Sequence, residues 1–335
     1  MKEPVSEMRV GVIGTGNIAR QVHLPVLTSM PGVRVAWVAD VNAASAVSVA
    51  SAFRLRSIPL PLAESAESDC DVALIASPVG TRRPHLAHLA GRRIAAFVEK
   101  PFARTVEEHR AFASLFPASR IGCGLMRRAY DSTAIVRRVL AEGWLGSLTR
   151  IVVREGGRFT GSGTDRSYFD DERAGGGILL ELGCHALDLA MHLTGSTRHE
   201  VVRQRLLFDG GPDRVAEGEV RIFPGPSESA APIPLAFRFS WLDDIDNAIE
   251  FHFPSARLIV GNRPGSAVRL AGPGADPGVA LAPCGGATTT NQAFYLEWRE
   301  FLDGVREERP SAFSAESTLP VTALIEDLYD RGRDR

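Results

Sequence analysis

The sequence predicts a two-domain α/β protein, a doubly wound parallel sheet followed by a mostly antiparallel one. Three observations predict it. From residue 9 to about 122, short apolar runs alternate with helical stretches, the pattern of a parallel sheet with crossover helices. From about 147 onward, extended segments succeed one another with few helices, joined by turns rich in Gly and Pro. A chain of 335 residues has material for two cores.

The first-half strands are predicted at 9–13, 33–39, 72–76, 94–98 and 119–123, with helices at 17–29, 43–52, 85–90 and 106–115. The right-handed crossover rule sets the hand of the sheet. A helix at 131–142 leads into the second half. Strands follow at 147–159, 201–208, 215–223, 235–241, 248–253 and 257–260. A helix at 178–193 interrupts them, and helices at 292–306 and 315–329 close the chain. Residues 271–286 and 224–234 read as exposed loops.

Hydrophobic content of 44% and charged content of 23% are ordinary for a globular protein. A net charge of -2 favours neither nucleic acid nor a membrane surface. Lys2 and Lys100 are the only lysines. Cys70, Cys123, Cys184 and Cys284 form no CxxC pair, so neither a disulfide framework nor a structural zinc is expected, and the pattern fits a reducing cytosol. Residues 1–8 lack the apolar core of a signal peptide, and no apolar run is long enough to span a membrane.

Residues 9–19 read as strand, glycine turn and helix start. Gly14 permits the tight turn, Gly16 lets the backbone approach a pyrophosphate, and Ala19 fills the third, small position. Thr15, Asn17 and Ile18 complete a loop whose helix N-terminus offers N–H groups to phosphate. The second strand ends in Asp40, an acceptor for ribose hydroxyls that repels a 2′-phosphate; NAD is expected, with NADP as the other option. Ser77-Pro78 follows the third strand, placed to flank a nicotinamide, and His85 could cap or line that loop.

Glu99-Lys100-Pro101 closes the apolar run 94–98. Proline cannot continue a central strand, so the chain leaves the sheet there. Lys100 then stands at a strand's carboxyl end, where open α/β sheets bind ligands. The Lys100-Pro101 peptide can also be cis. In the second half, Gly175-Gly176-Gly177 precedes a helix on which Glu181, His185, Asp188 and His192 fall at i, i+4, i+7 and i+11, one polar stripe. His185 suits a general acid/base, with Glu181 orienting it or holding a substrate hydroxyl. A metal reading of Glu181 and His185 lacks a third ligand and HExxH, so no metal is expected.

Gly11-Val12-Ile13-Gly14-Thr15-Gly16-Asn17-Ile18-Ala19, Glu99-Lys100-Pro101 and Gly175-Gly176-Gly177 leading to Glu181-Leu182-Gly183-Cys184-His185 together resemble the Gfo/Idh/MocA family of NAD(P)-dependent oxidoreductases. Residues 122–130 resemble that family's link between domains, and Gly143-Trp144-Leu145-Gly146 its turn before the second sheet. The resemblance implies a Rossmann domain at 1–122. An α+β domain at 123–335 would then carry a large, open, mostly antiparallel sheet, with the C-terminal helix free to pack back on the first domain. It implies a homodimer or homotetramer through that sheet, a cytoplasmic setting, and hydride transfer at one carbon of a sugar, amino sugar, nucleotide-sugar or cyclitol.

By the same resemblance Lys100 is catalytic, with His185. The family's acid four residues before the histidine is usually aspartate; Glu181 is one methylene longer, which leaves open how Glu181 and His185 share the proton work. The expected cofactor contacts are Gly14, Thr15, Gly16, Asn17, Ile18, Asp40, Ser77, Pro78, His85, Glu99 and Lys100. The expected substrate contacts are Arg127, Arg128, Tyr130, Arg158, Tyr168 and Asp188, with Arg166 read as surface charge. Two rival functions stand beside this one: a redox-neutral glycoside-processing enzyme that keeps its NAD, and a non-catalytic nucleotide sensor.

Overall fold

The computed structural model describes residues 7–62, 69–158, 176–225, 231–272, 278–283 and 285–333. Arg166, Tyr168, Gly175 and Cys284 lie outside the described residues. The chain divides into two compact units: Met1–Ala103, Glu107–Gly124 and Phe294–Thr318 form the first, and Arg104–Val106, Leu125–Ala293 and Leu319–Arg335 the second.

In the first unit, β1 (Met8–Ile13), β2 (Val33–Ala39), β3 (Val72–Ile75), β4 (Ala95–Glu99) and β5 (Ile121–Gly124) form one parallel sheet in the order β2-β1-β3-β4-β5. Every residue of β3 and β4 is buried, as expected of central strands covered on both faces. Helical residues 17–29 carry a π-turn at Ala19–His23 before α1 (Leu24–Ser29). Helices α2 (Ala43–Phe53), α3 (Arg82–Gly91) and α4 (Val106–Ala113) follow their strands. Asn42 caps α2 by accepting from the Ser45 N–H at 3.1 Å.

Residues 294–318, which follow the boundary expected at 122, fall in the first unit. The Phe313 carbonyl accepts from the Cys123 N–H at 2.8 Å, and Phe97 packs on Trp298 at 4.6 Å between ring centroids. Gly122 makes room for the returning chain, since a Cβ there would meet the Phe301 ring at 2.8 Å.

The second unit holds an eight-stranded sheet. Its members are β6 (Arg150–Gly156), β7 (Arg198–Phe208), β8 (Asp213–Phe223), β9 (Ile233–Ser240), β10 (Ala248–His252), β11 (Arg257–Gly261), β12 (Arg269–Ala271) and β13 (Val279–Ala280). The order is β13-β12-β11-β10-β6-β9-β8-β7, antiparallel except for the parallel β6–β9 pair. β12 and β13 were not expected; β13 pairs within a stretch whose Gly and Pro content reads as loop. Helices α5 (Asp131–Glu142) and α6 (Cys184–Thr194), with the end of the last helix, cover one face. Ile151, Val153, Phe237, Phe239 and Phe251 meet Leu179, Leu187, Leu324 and Leu328 in that core.

The opposite face is charged. Arg205, Glu217 and Arg238 face one another across β7, β8 and β9 in register, with contacts of 3.1 and 3.4 Å. Arg203–Glu219 at 3.4 Å and Arg221–Glu200 at 3.1 Å repeat the pattern along β7 and β8.

Two histidines, His109 buried and His192 half-buried, link the fold to pH. Burial pulls His109 down to about 4, despite the Ala315 carbonyl at its Nε2 and with Arg110 nearby. Burial, with Arg128 and Arg137, pulls His192 to about 3. Arg137 can only donate to His192 Nε2, at 3.0 Å, which fits a neutral ring. In the unfolded chain both rings titrate near 6.5, so the unfolded state binds protons first as pH falls. Their contribution is complete above pH 6.5 and is lost on the way to about 4 for His109 and about 3 for His192. Thermal unfolding across this range is expected to show a falling midpoint, flattened in His109→Phe.

Candidate active site

The glycine turn is built by its neighbours. Gly14 has φ +94, and a Cβ there would meet the Ala76 carbonyl carbon and oxygen at 2.7 Å, so conformation and space both require glycine. A Cβ at Gly16 would meet nothing within 4 Å. Gly16, Asn17 and Ile18 are exposed, so the loop leaves its outer side open to a ligand.

Asp40 closes the loop from β2. Its Oδ2 accepts from the Thr15 N–H at 2.7 Å and the Thr15 hydroxyl at 3.0 Å, while Oδ1 accepts from the Asn42 N–H at 2.8 Å. A carboxylate has roughly four lone-pair positions, so capacity remains for a ribose hydroxyl. Arg20 stands beside it, donating to the Thr15 carbonyl and the Ser45 hydroxyl at 2.7 Å each. The open Gly16, the left-handed Gly14, the N–H groups opening the helix and the half-buried acid at the end of β2 fit a dinucleotide.

The loops after β3 and β4 are tied together. Arg82 is 2% exposed; its guanidinium donates to the Ser77 carbonyl at 3.1 Å and to the Pro101 and Phe102 carbonyls. Ser77 and Pro78 are further joined by Thr81, whose hydroxyl contacts the Ser77 hydroxyl at 3.1 Å and the Pro78 carbonyl at 2.8 Å. His85 is half-buried in α3, and burial, with His88, lowers its pKa. Lys100 follows the last residue of β4, half-buried, and the Lys100-Pro101 peptide is cis.

Glu99 is held on both oxygens. Oε1 accepts from His23 Nε2 at 2.6 Å, and Oε2 from the Lys100 N–H at 3.0 Å. The Trp298 indole N–H donates to His23 Nδ1 at 2.9 Å. Burial would raise the Glu99 carboxyl, but the His23 hydrogen bond, with Lys100 and Arg82 nearby, holds it below the usual carboxylate range.

In the second unit, Gly176 and Gly177 lead into a helix capped by Asp213. Asp213 Oδ1 accepts from the Gly177 N–H at 2.8 Å and the Tyr329 hydroxyl at 2.6 Å, and Oδ2 from the Leu179 N–H at 2.9 Å. Burial pushes the Asp213 carboxyl up against these bonds. A π-turn at Leu179–Gly183 contains Glu181, and α6 carries His185. The π-turn inserts a residue into the ladder, so the even spacing expected of the stripe begins at His185, not at Glu181. Glu181 is half-buried and His185 is buried.

Arg127 and Arg128 each form a two-pronged buried ion pair. Arg127 meets Glu155 at 2.8 and 2.6 Å; Arg128 meets Asp188 at 2.8 and 2.5 Å. Their forks, and the Asp188 carboxylate, are committed to joining the linker to β6 and α6. Breaking either pair would leave an uncompensated buried charge. Tyr130 is buried at the start of α5, and Arg158 is exposed beside Asp244.

The oxidoreductase-family description of an NAD-binding Rossmann fold (GFO_IDH_MocA) matches residues 8–120, and the GFO/IDH/MocA C-terminal domain matches 133–216. The chain belongs to the Gfo/Idh/MocA family. The rhizopine catabolism protein MocA of Rhizobium meliloti is 27% identical over 220 residues, covering 63% of this chain and 67% of that one. The dTDP-3,4-didehydro-2,6-dideoxy-alpha-D-glucose 3-reductase of Streptomyces antibioticus is 29% identical over 209 residues, covering 58% and 60%. The match thus spans about three-fifths to two-thirds of these relatives. An oxidoreductase from Agrobacterium radiobacter, crystallised with NAD+, L-tartaric acid and magnesium, superposes with a TM-score of 0.80 at 18% identity, covering 98% of this chain and 97% of that one. Its likeness shows that the Gfo/Idh/MocA fold extends over nearly the whole chain.

Sequence reasoning missed His23, Arg82, Trp298, Asp213 and Tyr329. His23 lies four residues beyond the glycine signature, and that proximity was the one local signal available. Arg82→Leu is expected to cost about 2 kcal/mol in denaturant unfolding, as for a hydrogen-bonded charge, and to weaken NAD+ binding in a fluorescence titration.

Proposed function

We propose that this protein is an NAD(P)-dependent dehydrogenase or reductase acting on a CH–OH carbon of a sugar, amino sugar, nucleotide-sugar or cyclitol. The observation that carries the reading is a glycine turn shaped for a dinucleotide after β1, with Lys100 directly after β4 of the same parallel sheet. The dTDP-sugar reductase among the relatives supports a sugar-type substrate.

Gly14 to Ile18 would hold the pyrophosphate and Asp40 the adenosine ribose; NAD is the cofactor favoured by that acid, with NADP as the second option. Ser77, Pro78 and His85 would line the nicotinamide end. Bound NAD(P) supplies or accepts the hydride. Lys100 hydrogen-bonds the reacting oxygen and stabilises alkoxide charge as it develops. His185 would act as a general acid/base, with Glu181 holding a substrate hydroxyl or the imidazole. Arg127, Arg128, Tyr130, Arg158, Tyr168 and Asp188 remain the proposed substrate contacts.

The eight-stranded sheet is the proposed surface for a homodimer or homotetramer. Buried Cys70, Cys123 and Cys184 support a reducing, cytoplasmic setting; among the described residues no helix is long and apolar enough to cross a membrane.

The test is turnover of myo-inositol, methyl α-D-glucoside, UDP-N-acetylglucosamine and dTDP-glucose with NAD+, followed by NADH absorbance. With whichever substrate is oxidised, Lys100→Ala is expected to lower kcat more than tenfold, about 1.4 kcal/mol of barrier. A smaller fall removes Lys100 from the role.

A further inference from the structure

Three residues from distant segments meet behind Lys100. Trp298, His23 and Glu99 form a chain of hydrogen bonds of 2.9 and 2.6 Å that ends on the Lys100 backbone N–H at 3.0 Å. His23 is 0% and Trp298 0% exposed, so water does not complete their bonding. An indole N–H can only donate. His23 Nδ1 must therefore be the acceptor, and the ring's one proton sits on Nε2, pointing at Glu99. The imidazole is fixed as a neutral donor, and Glu99 receives it as a carboxylate.

The charged groups facing Glu99 are few. His23 comes from the helix after the glycine turn, Lys100 is the next residue in the chain, and Arg82 reaches in from α3. On the β5 side, Gly124 has no side chain; a Cβ there would lie 3.4 Å from Glu99 Oε1. Apolar residues could fill the same volume at lower desolvation cost, so the polar chain has a use beyond packing.

We propose that His23 and Trp298 are positioning residues that keep Glu99 an oriented carboxylate and, through it, set the charge state of the Lys100 ammonium. The proposal rests on the reading of Lys100 as the group at the reacting oxygen. The coupling is electrostatic and reciprocal: Glu99 precedes Lys100 and holds its backbone N–H at 3.0 Å, and a carboxylate and an ammonium on adjacent residues each favour the other's charged form. Without the His23 donor, the Lys100 N–H and the nearby Lys100 and Arg82 charges are left to oppose burial at Glu99, which takes up a proton more readily and loosens its hold on Lys100.

The chain's lysine content makes this measurable. With only Lys2 and Lys100 present, protein labelled with 13Cε-lysine and saturated with NAD+ gives two lysine signals, assigned by Lys2→Arg. In His23→Leu the Lys100 titration midpoint is expected to fall by about one unit. In His23→Gln, whose amide can accept from Trp298 and donate to Glu99, the fall is expected to be less than half of that. An unchanged midpoint in folded, NAD-binding His23→Leu overturns the proposal. The unmutated protein gives a second reading whether or not that variant folds. Its 15N imidazole spectrum must show His23 as the neutral Nε2–H tautomer, and an imidazolium or the Nδ1–H tautomer overturns the proposal. Lys100→Ala separates the two ideas. If it spares turnover, the catalytic reading fails; if it abolishes turnover while Lys100 ignores His23, only the positioning role fails.

Discussion

A carboxylate buried without donors does not stay ionised, and the first unit is organised around meeting that demand at Glu99. The acid ends β4, inside the sheet rather than beyond it, so hydrogen-bonding water cannot serve it. Its two oxygens take one N–H from its own chain and one from His23, and His23 is itself steadied by Trp298. Three consequences follow from this one requirement. The helix after the glycine turn is anchored to β4, the late segment 294–318 is drawn to the first sheet, and the loop carrying Lys100 leaves the strand in a fixed direction.

The second unit solves a similar problem at a helix start. Asp213 is buried because it replaces solvent for two N–H groups of the helix bearing Glu181 and His185, and Tyr329 supplies the further donor its charge needs. Both helices that open a functional motif carry a π-turn, at Ala19–His23 and Leu179–Gly183. Such turns cost regular hydrogen bonding and tend to be retained at functional sites. Here one presents His23 to Glu99 and the other contains Glu181.

Much of the fold and part of the site were legible in the sequence. Pro101 forces β4 to end, Gly14 needs its left-handed conformation, and the apolar runs of β3 and β4 read as buried strands because both faces are covered. Asp40 could be placed because an acid at the end of a second strand has a geometric meaning. What the sequence hid is long-range. The Trp298–His23 and His23–Glu99 bonds join residues 275 and 76 positions apart, and no local pattern encodes such a pairing. Nothing near Arg127 and Arg128 in the sequence marks Glu155 and Asp188 as their partners. β13 was hidden because two residues directly after Gly278 carry too little periodicity.

The charged face of the eight-stranded sheet sets the character of whatever meets it. Arg205, Glu217 and Arg238 alternate in sign across β7, β8 and β9, and Arg203–Glu219 and Glu200–Arg221 pair across β7 and β8. Neighbouring strands stand about 4.8 Å apart, so the face presents rows of charge that change sign from strand to strand rather than an oily plane. A partner surface must match those rows, and a slip of one strand would set like charges opposite each other. Contacts of this kind are screened by electrolyte within about 8 Å at physiological ionic strength. Association there would be selective in register and sensitive to ionic strength, the reverse of what an aliphatic face confers.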